Sequence, residues 1–270
     1  MGFKTDGTSH RLGINGEKLT QQIISPRTTE TFGSPKIVEL RGGTQFKEDL
    51  FIPSTGQKIS CKNRQSKGGT YDYMNSSKIF SELSQQNSEA SSLRNYISGV
   101  KGSMLETEFE KGSQEVLSAK EECRAEIKKR VIRVLNSLSS EEIGALVKQG
   151  VSEYYSDDNF YFTITHVPSG NLRLFPAKAL PLFDYLSGEQ RQLFTLKGKS
   201  ASRTVLFGEQ KLDFGIRLRV GLNNGVGALL GGKKLSSNPT SSLVVKIQQD
   251  SPDKQFDSID DGLTEVIEFE

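Results

Sequence analysis

The segment from Lys47 to Arg64 constrains the fold of this chain more than any other part of the sequence. It contains two short strand patterns with a turn at Pro53–Gln57 between them. A turn rich in Pro, Ser and Gly between two such strands predicts a β-hairpin, and therefore a domain built on a sheet. Asp49 opens the first strand and Lys62 lies in the second. Because the strands pair, the two side chains can converge on one point. There the acid can hold a divalent cation and the lysine can face a water or a phosphate.

This segment is similar to the PD-(D/E)xK nucleases, the superfamily that contains many restriction endonucleases. The family pattern is an acid at the start of one strand, a hairpin turn, and an acid-x-Lys element on the next strand. Asp49 and Lys62 match the pattern, whereas Ser60 stands in the place of the second acid. The matching core covers about residues 10–80. The resemblance implies a mixed α/β (α+β) fold with a restriction-endonuclease-like central mixed sheet flanked by helices. This chain adds a β-rich C-terminal half.

The resemblance also implies roles for single residues in a Mg²⁺-dependent cleavage of phosphodiester bonds. Asp49 would bind the metal. Lys62 would orient the attacking water or help to deprotonate it, and would stabilise the phosphate. Ser60 would assist through a metal-bound water. Some members with a non-acidic residue at this place recruit an acid from elsewhere in the fold. Here the candidate is Glu17, with Glu39 in reserve.

Glu17 is preferred because of its place in a helix that the sequence predicts at residues 15–24, after a flexible lead-in. Leu19, Ile23 and Ile24 form an apolar face that must pack on the sheet, and this brings the first turn of the helix near Asp49. A glutamate in the first turn is also what the helix dipole favours, so a structural role for Glu17 stays open.

A structural interpretation competes with the whole site. An acid before an apolar strand is often only a solvated strand start, and a lysine in a strand often protects a sheet edge from pairing with another chain. The discriminating observation is spatial. An acid within about 5 Å of both Asp49 and Lys62 would favour an enzyme.

The distribution of charge points to nucleic acid. The segment from Asp250 to the C-terminus carries a net charge of −7, so residues 1–249 carry +9. A basic body is common in proteins that bind nucleic acid, because neutralising phosphates supplies much of the affinity, whereas an acidic tail often serves only solubility. The candidates for contact with double-stranded DNA are six basic or amide side chains: Arg64, Lys67, Arg217, Arg219, Asn223 and Asn224. Alternation places Arg217 and Arg219 on one strand face, which could equally be an ordinary solvated face.

Several other chemistries are excluded by the motifs that they need. There is no Walker loop and no Gly-x-Ser-x-Gly elbow, and Gly225–Gly231 lacks the strand and helix of a dinucleotide site. Two histidines, His10 and His166, are too few for a zinc hydrolase. Cys61 and Cys123 lack partners at metal-site spacing, which predicts two buried free thiols in a reducing cytoplasm. No apolar run approaches the ~18 residues of a membrane span, and the N-terminus has no signal-peptide pattern.

The organisation that these patterns predict is a single composite nuclease domain over residues 1–270. It would comprise four parts: a catalytic core at about 10–100, a helical insertion at about 105–150, a β-rich part at about 158–250 and an acidic tail at 251–270.

The function that the sequence favours is a Mg²⁺-dependent, site-specific DNA endonuclease of the type II restriction kind. It would be cytoplasmic, and dimeric if the target is palindromic, because two-fold DNA matches a two-fold protein. The alternative is a non-catalytic DNA-binding protein on a nuclease-like scaffold. A third possibility is a structural or interaction protein whose basic character is incidental.

Overall fold

A computed structural model describes residues 8–28, 33, 37–41, 46, 48–64, 70–104, 113–166, 171–188, 192–231, 241–250 and 267–269. Helices and two separate sheets occur together, which confirms the mixed α/β fold class. No helix in these ranges is long and apolar enough to cross a membrane. Lys67 and residues 251–266 of the acidic tail lie outside the described residues.

The secondary structure of the described ranges comprises seven α-helices and eleven strands. The helices are α1 Thr8–Ile24, α2 Ser77–Gln86, α3 Ser88–Val100, α4 Gln114–Ser137, α5 Ser140–Tyr155, α6 Pro181–Ser187 and α7 Gly225–Leu230. The strands are β1 Glu39–Leu40, β2 Leu50–Ile52, β3 Gln57–Arg64, β4 Thr70–Ser76, β5 Phe160–His166, β6 Asn171–Pro176, β7 Phe194–Lys197, β8 Ser202–Phe207, β9 Ile216–Leu222, β10 Leu243–Asp250 and β11 Ile267–Phe269.

The chain divides into two compact units by its internal contacts. The first unit contains residues 1–71, 151–190 and 250–270, and the second contains 72–150 and 191–249. Each unit is built on one of the two sheets. The expectation of a single composite domain stays a prediction.

The sheet of the first unit is mixed and has the strand order β1-β2-β3-β5-β6-β11. Strands β3 and β5 run parallel, while the other neighbouring pairs are antiparallel. One face packs under α1, where Ile24, Leu50, Ile59 and Leu174 belong to a buried apolar cluster. Strands β5 and β6, which the sequence placed in a β-rich C-terminal part, therefore belong to the same sheet as the predicted hairpin.

The sheet of the second unit has the order β4-β10-β9-β8-β7. Its strands alternate in burial. On β9 the side chains of Ile216, Leu218 and Val220 are buried, and those between them are not. Helix α4 packs against β9, and α5 approaches β7 closely at Gly144. One sheet face thus forms the core of this unit.

Helix ends follow the cap signals of the sequence, although some helices are longer than predicted. Ser139 and Glu142 form a capping box at α5, with hydrogen bonds of 2.8 and 3.1 Å between their side chains and each other's backbone N–H. Helix α5 ends at Tyr155. Helix α1 begins at Thr8, so residues that were expected to be a flexible lead-in are helical.

Two helical glycines give a matched prediction on packing in the second unit. A Cβ at Gly144 would lie 2.6 Å from Phe194 Cε2, whereas a Cβ at Gly99 in α3 would meet nothing within 4 Å. We expect Gly144→Ala to destabilise the protein by about 1–3 kcal/mol, because overpacking outweighs the better helix propensity of alanine. Gly99→Ala should stabilise it by up to about 1 kcal/mol. Urea unfolding measures both, and an equal effect of the two substitutions would contradict the close approach of α5 and β7.

Candidate functional site

The predicted hairpin forms from β2 and β3. The two strands pair antiparallel, with Leu50 opposite Ile59. The turn closes when Gly56 N–H donates to the carbonyl of Ile52 at 2.9 Å, and Gly56 has a φ of +73°. That left-handed conformation is easy for glycine and strained for other residues. The turn sequence therefore fixes the register that brings Asp49 beside β3.

Asp49, Ser60 and Lys62 are joined by a chain of hydrogen bonds. Lys62 Nζ donates to Ser60 Oγ at 2.8 Å, and Ser60 Oγ donates to Asp49 Oδ2 at 3.3 Å. The backbone N–H of Cys61 donates to the same Asp49 oxygen at 2.6 Å. The structure thus brings together three of the residues that the sequence singled out. Ser60 lies between the acid and the lysine.

Lys62 is held inside the sheet rather than at its edge. Strand β3 lies between β2 and β5, and Lys62 is only 7% exposed. In the parallel register Ser60 is opposite Phe162 and Lys62 is opposite Ile164. The Lys62 ammonium also lies 5.5 Å from the centre of the Phe162 ring, within cation–π range. The interpretation of Lys62 as a guard of an exposed edge strand is therefore wrong.

Burial dominates the electrostatics of Asp49. It raises the pKa of the Asp49 carboxyl, although the Lys62 charge, the Cys61 N–H and the Ser60 hydroxyl all act to lower it. The neighbouring charge of Glu48 raises the pKa further. Burial thus disfavours the charged form of Asp49, and a cation bound beside the carboxylate would stabilise that form.

Two residues of this site were missed by the sequence interpretation. Glu48 is 6% exposed, and its carboxylate accepts a hydrogen bond from Arg41 at 3.2 Å. Tyr154, at the end of α5, is buried, and its ring stacks 5.2 Å from that of Phe162. Burial and the charge of Asp49 raise the pKa of the Tyr154 hydroxyl, while a hydrogen bond with Ser60 acts against them. Glu48 stands next to Asp49 in the sequence and could have been considered.

The two candidates for the second carboxylate have different environments. Glu17 lies in the middle of α1, and no acid occupies the first turn of that helix. The explanation of Glu17 by the helix dipole is therefore wrong. Burial and the charges of Asp49 and Glu17 together raise the pKa of the Cys61 thiol, so both carboxylates act on the same part of β3. Glu39 is exposed on β1 and lies 3.7 Å from Arg41. The preference for Glu17 over Glu39 stays a prediction.

The donor set at Asp49 fits an open magnesium site and not a closed cage. Within the described ranges, no three His, Cys, Asp or Glu side chains are grouped closely enough to hold a metal by themselves. Mg²⁺ keeps several waters and is usually bound through one or two carboxylates together with substrate phosphates. Asp49 accepts its hydrogen bonds through Oδ2, and no described residue donates to Oδ1. That oxygen and the Ser60 hydroxyl are the groups that would hold the ion.

The predicted DNA contacts are partly described. The side chains of Arg64, His10 and His166 and the whole of Lys67 lie outside the described residues.

Cys61 and Cys123 are buried free thiols, as predicted.

The remaining predicted contacts all belong to the second unit. Arg217 and Arg219 share one face of β9, as alternation predicted. Asn223 has a structural role, because its Oδ1 accepts from Ser242 N–H at 2.9 Å and closes the connection to β10. Asn224 precedes α7 and makes no side-chain cap bond to it.

No family model matches the sequence, and no curated protein matches it either. The function is therefore inferred from the geometry of the site and from the resemblance in its motif.

The raised pKa of Asp49 predicts how its contribution to stability changes with pH. Its pKa is raised above the ordinary 3.8, so the folded protein binds the proton more tightly than the unfolded chain does. The contribution of Asp49 to the free energy of unfolding therefore decreases as the pH rises from about 3.8 to the raised pKa. We expect Asp49→Asn to become more stable relative to the parent over that window. Urea unfolding in EDTA at a series of pH values measures the difference.

Asp157→Asn is the matched control. Burial acts to raise the pKa of Asp157, but the Lys58 ammonium at 3.0 Å and the Asn159 N–H outweigh it, so the pKa is lowered. Its contribution is present above the ordinary pKa and is lost as the pH falls. Asp157→Asn should therefore become less stable relative to the parent as the pH rises, which is the opposite of Asp49→Asn. The same sign in both variants would contradict the burial of Asp49.

Proposed function

We propose that this chain is a Mg²⁺-dependent DNA endonuclease of the PD-(D/E)xK kind that cuts DNA at specific sites, as type II restriction enzymes do. One observation carries the proposal: the buried Lys62 is connected through Ser60 to Asp49, a half-buried aspartate directly before β2. Removing such charges from water is unfavourable by several kcal/mol per ion, and replacing a buried ion pair by apolar residues is often neutral or stabilising, so stability alone does not explain this arrangement. Perturbed titratable groups in contact are typical of catalytic sites.

The roles of the residues follow from their atoms. Asp49 would hold the metal through Oδ1 while its Oδ2 is fixed by Cys61 N–H and Ser60 Oγ. Lys62 keeps its ammonium on Ser60 Oγ, from which it can reach a water or a phosphate oxygen. When bound, Mg²⁺ would supply Lewis-acid polarisation of the phosphoryl group and a more acidic water. Glu17 would provide the second carboxylate, because its charge already acts on β3 at Cys61.

The second candidate function is a DNA-binding protein without catalysis. The observation in its favour is that the Ser60 hydroxyl, and not a carboxylate, connects Asp49 with Lys62. Without a second acid the site would bind the metal weakly. DNA binding would then depend on the basic residues alone.

The partners follow from the proposal. We infer double-stranded DNA as the substrate and a homodimer as the active form if the target is palindromic. The location consistent with two free thiols, Cys61 and Cys123, is the cytoplasm.

The first test is Asp49→Ala. It should abolish Mg²⁺-dependent cleavage of plasmid or phage DNA and leave binding in Ca²⁺ nearly unchanged, since affinity comes mainly from basic contacts to phosphate. Gel electrophoresis measures cleavage, and a gel shift measures binding. Glu17→Gln should reduce cleavage in the same way, and Glu39→Gln, which removes an exposed acid, should not. Unimpaired cleavage by Asp49→Ala would remove Asp49 from the site. If no protein, parent included, cuts DNA, the binding function is favoured.

The second test is Lys62. Lys62→Ala should lower the cleavage rate by about 10²–10⁴-fold, the usual contribution of a group that positions or transfers a proton. Lys62→Arg should restore little, because a planar guanidinium neither fits the compact ammonium site nor loses its proton. Lys58→Ala is the matched control. It lies on the same strand but pairs with Asp157, so cleavage should stay within about twofold of the parent. An arginine variant that cuts like the parent would show that Lys62 provides only charge.

A further inference from the structure

One face of the sheet in the second unit is polar and mostly basic. Arg217 and Arg219 alternate with buried residues along β9. In the register with β10, Arg219 is opposite Lys246, and Arg217 is opposite Gln248. Paired residues in antiparallel strands point to the same face, so these four side chains form one polar patch, which ends at the buried Val244 opposite Gly221.

The neighbouring strand β8 and the edge strand β7 extend this surface. Ser202 is opposite Arg219 and Thr204 is opposite Arg217. Lys197 of β7 is in turn opposite Thr204 and is exposed. We call these side chains the basic face, defined by Lys197, Ser202, Arg217, Arg219 and Lys246. Four of its five members are basic.

Asp72, whose side chain is described, pairs with part of this charge. Asp72 of β4 lies 3.6 Å from Lys246 Nζ and accepts a hydrogen bond from Gln248 Nε2 at 2.6 Å. Asp72 is 41% exposed in its side chain and Lys246 17%. The pair is therefore a partly solvated ion pair, which contributes little to stability. Its removal would change the charge of the face more than it changes the fold.

The spacing of the face fits a phosphate backbone. Alternate residues on one strand are about 6.6–6.8 Å apart, and neighbouring strands are about 4.8 Å apart. Guanidinium, ammonium and hydroxyl groups at these intervals can contact successive phosphates of one nucleic-acid strand. No described side chain of the basic face is aromatic. Proteins that bind single strands without sequence preference use aromatic side chains for base stacking, so duplex is the form that this face matches.

We propose that the basic face binds the phosphate backbone of duplex DNA, without reading bases, and that Asp72 weakens this binding. The inference rests on DNA as the partner in the proposed function, and it does not depend on cleavage. It adds Lys197, Lys246 and Ser202 to the two arginines that the sequence indicated. It also predicts that one substitution should increase affinity.

The experiment measures binding of the full chain to a fluorescent duplex and to its single strand, in EDTA and over a range of NaCl concentrations. Arg217→Ala/Arg219→Ala should weaken duplex binding by about tenfold and reduce the slope of log affinity against log salt by about two, because two phosphate contacts are lost. Asp72→Asn should strengthen duplex binding severalfold. A merely structural role of Asp72 predicts no gain.

The matched control is Arg124→Ala/Lys128→Ala, which removes two exposed charges from α4 of the same unit. It should leave the salt slope unchanged. An equal loss in this control would overturn the inference, as would tighter binding of the single strand than of the duplex. Circular dichroism of each variant verifies folding, and a salt slope that is unchanged in a folded arginine variant also overturns it. A protein that binds through this face and never cuts DNA supports this inference and contradicts the endonuclease.

Discussion

The parallel pairing of β3 with β5 is the constraint on which the site depends. It places β3 in the interior of the mixed sheet and puts Phe162, on which the ring of Tyr154 stacks, beside Ser60. A lysine that is 7% exposed must then satisfy its ammonium locally, and Ser60 provides the acceptor. Loss of one partner of a buried charge pair typically destabilises a protein by about 3–5 kcal/mol. The low dielectric around these buried groups would also strengthen their electrostatic effect on a bound ion.

The two faces of the mixed sheet carry different kinds of side chain. The face under α1 carries apolar residues with Cys61 among them, and it holds the sheet together. The opposite face carries the polar chain from Lys62 to Asp49. Since side chains alternate along a strand, β3 can serve both faces at once. Replacing the expected acid by Ser60 keeps this alternation but lowers the negative charge at the site. The balance between catalysis and simple binding therefore depends on whether Glu17 contributes its carboxylate.

In the second unit, too, the two faces of a strand carry different kinds of side chain. The buried face of β9 packs against α4, while the opposite face presents Arg217 and Arg219. The core is formed by the buried residues, while Arg219 is exposed and Arg217 is half-buried. Charge on such a surface acts mainly through phosphate and is sensitive to salt. The basic face and the chain from Lys62 to Asp49 are the two separate observations on which the proposal of a nucleic-acid partner rests.

The sequence by itself determined the local structure and three members of the site. The turn at residues 53–56 and the alternation in β3 were sufficient to predict that Asp49 and Lys62 converge, because a short hairpin leaves one register open. Caps such as Ser139 with Glu142 were readable for the same local reason. Only the tertiary structure decided that β5 pairs with β3 and that the end of α5 brings Tyr154 under the site. These contacts join segments that are far apart in the chain, and no local pattern specifies which partner a buried apolar strand selects. The burial of Lys62, and with it the electrostatics of the site, follows from that choice of partner.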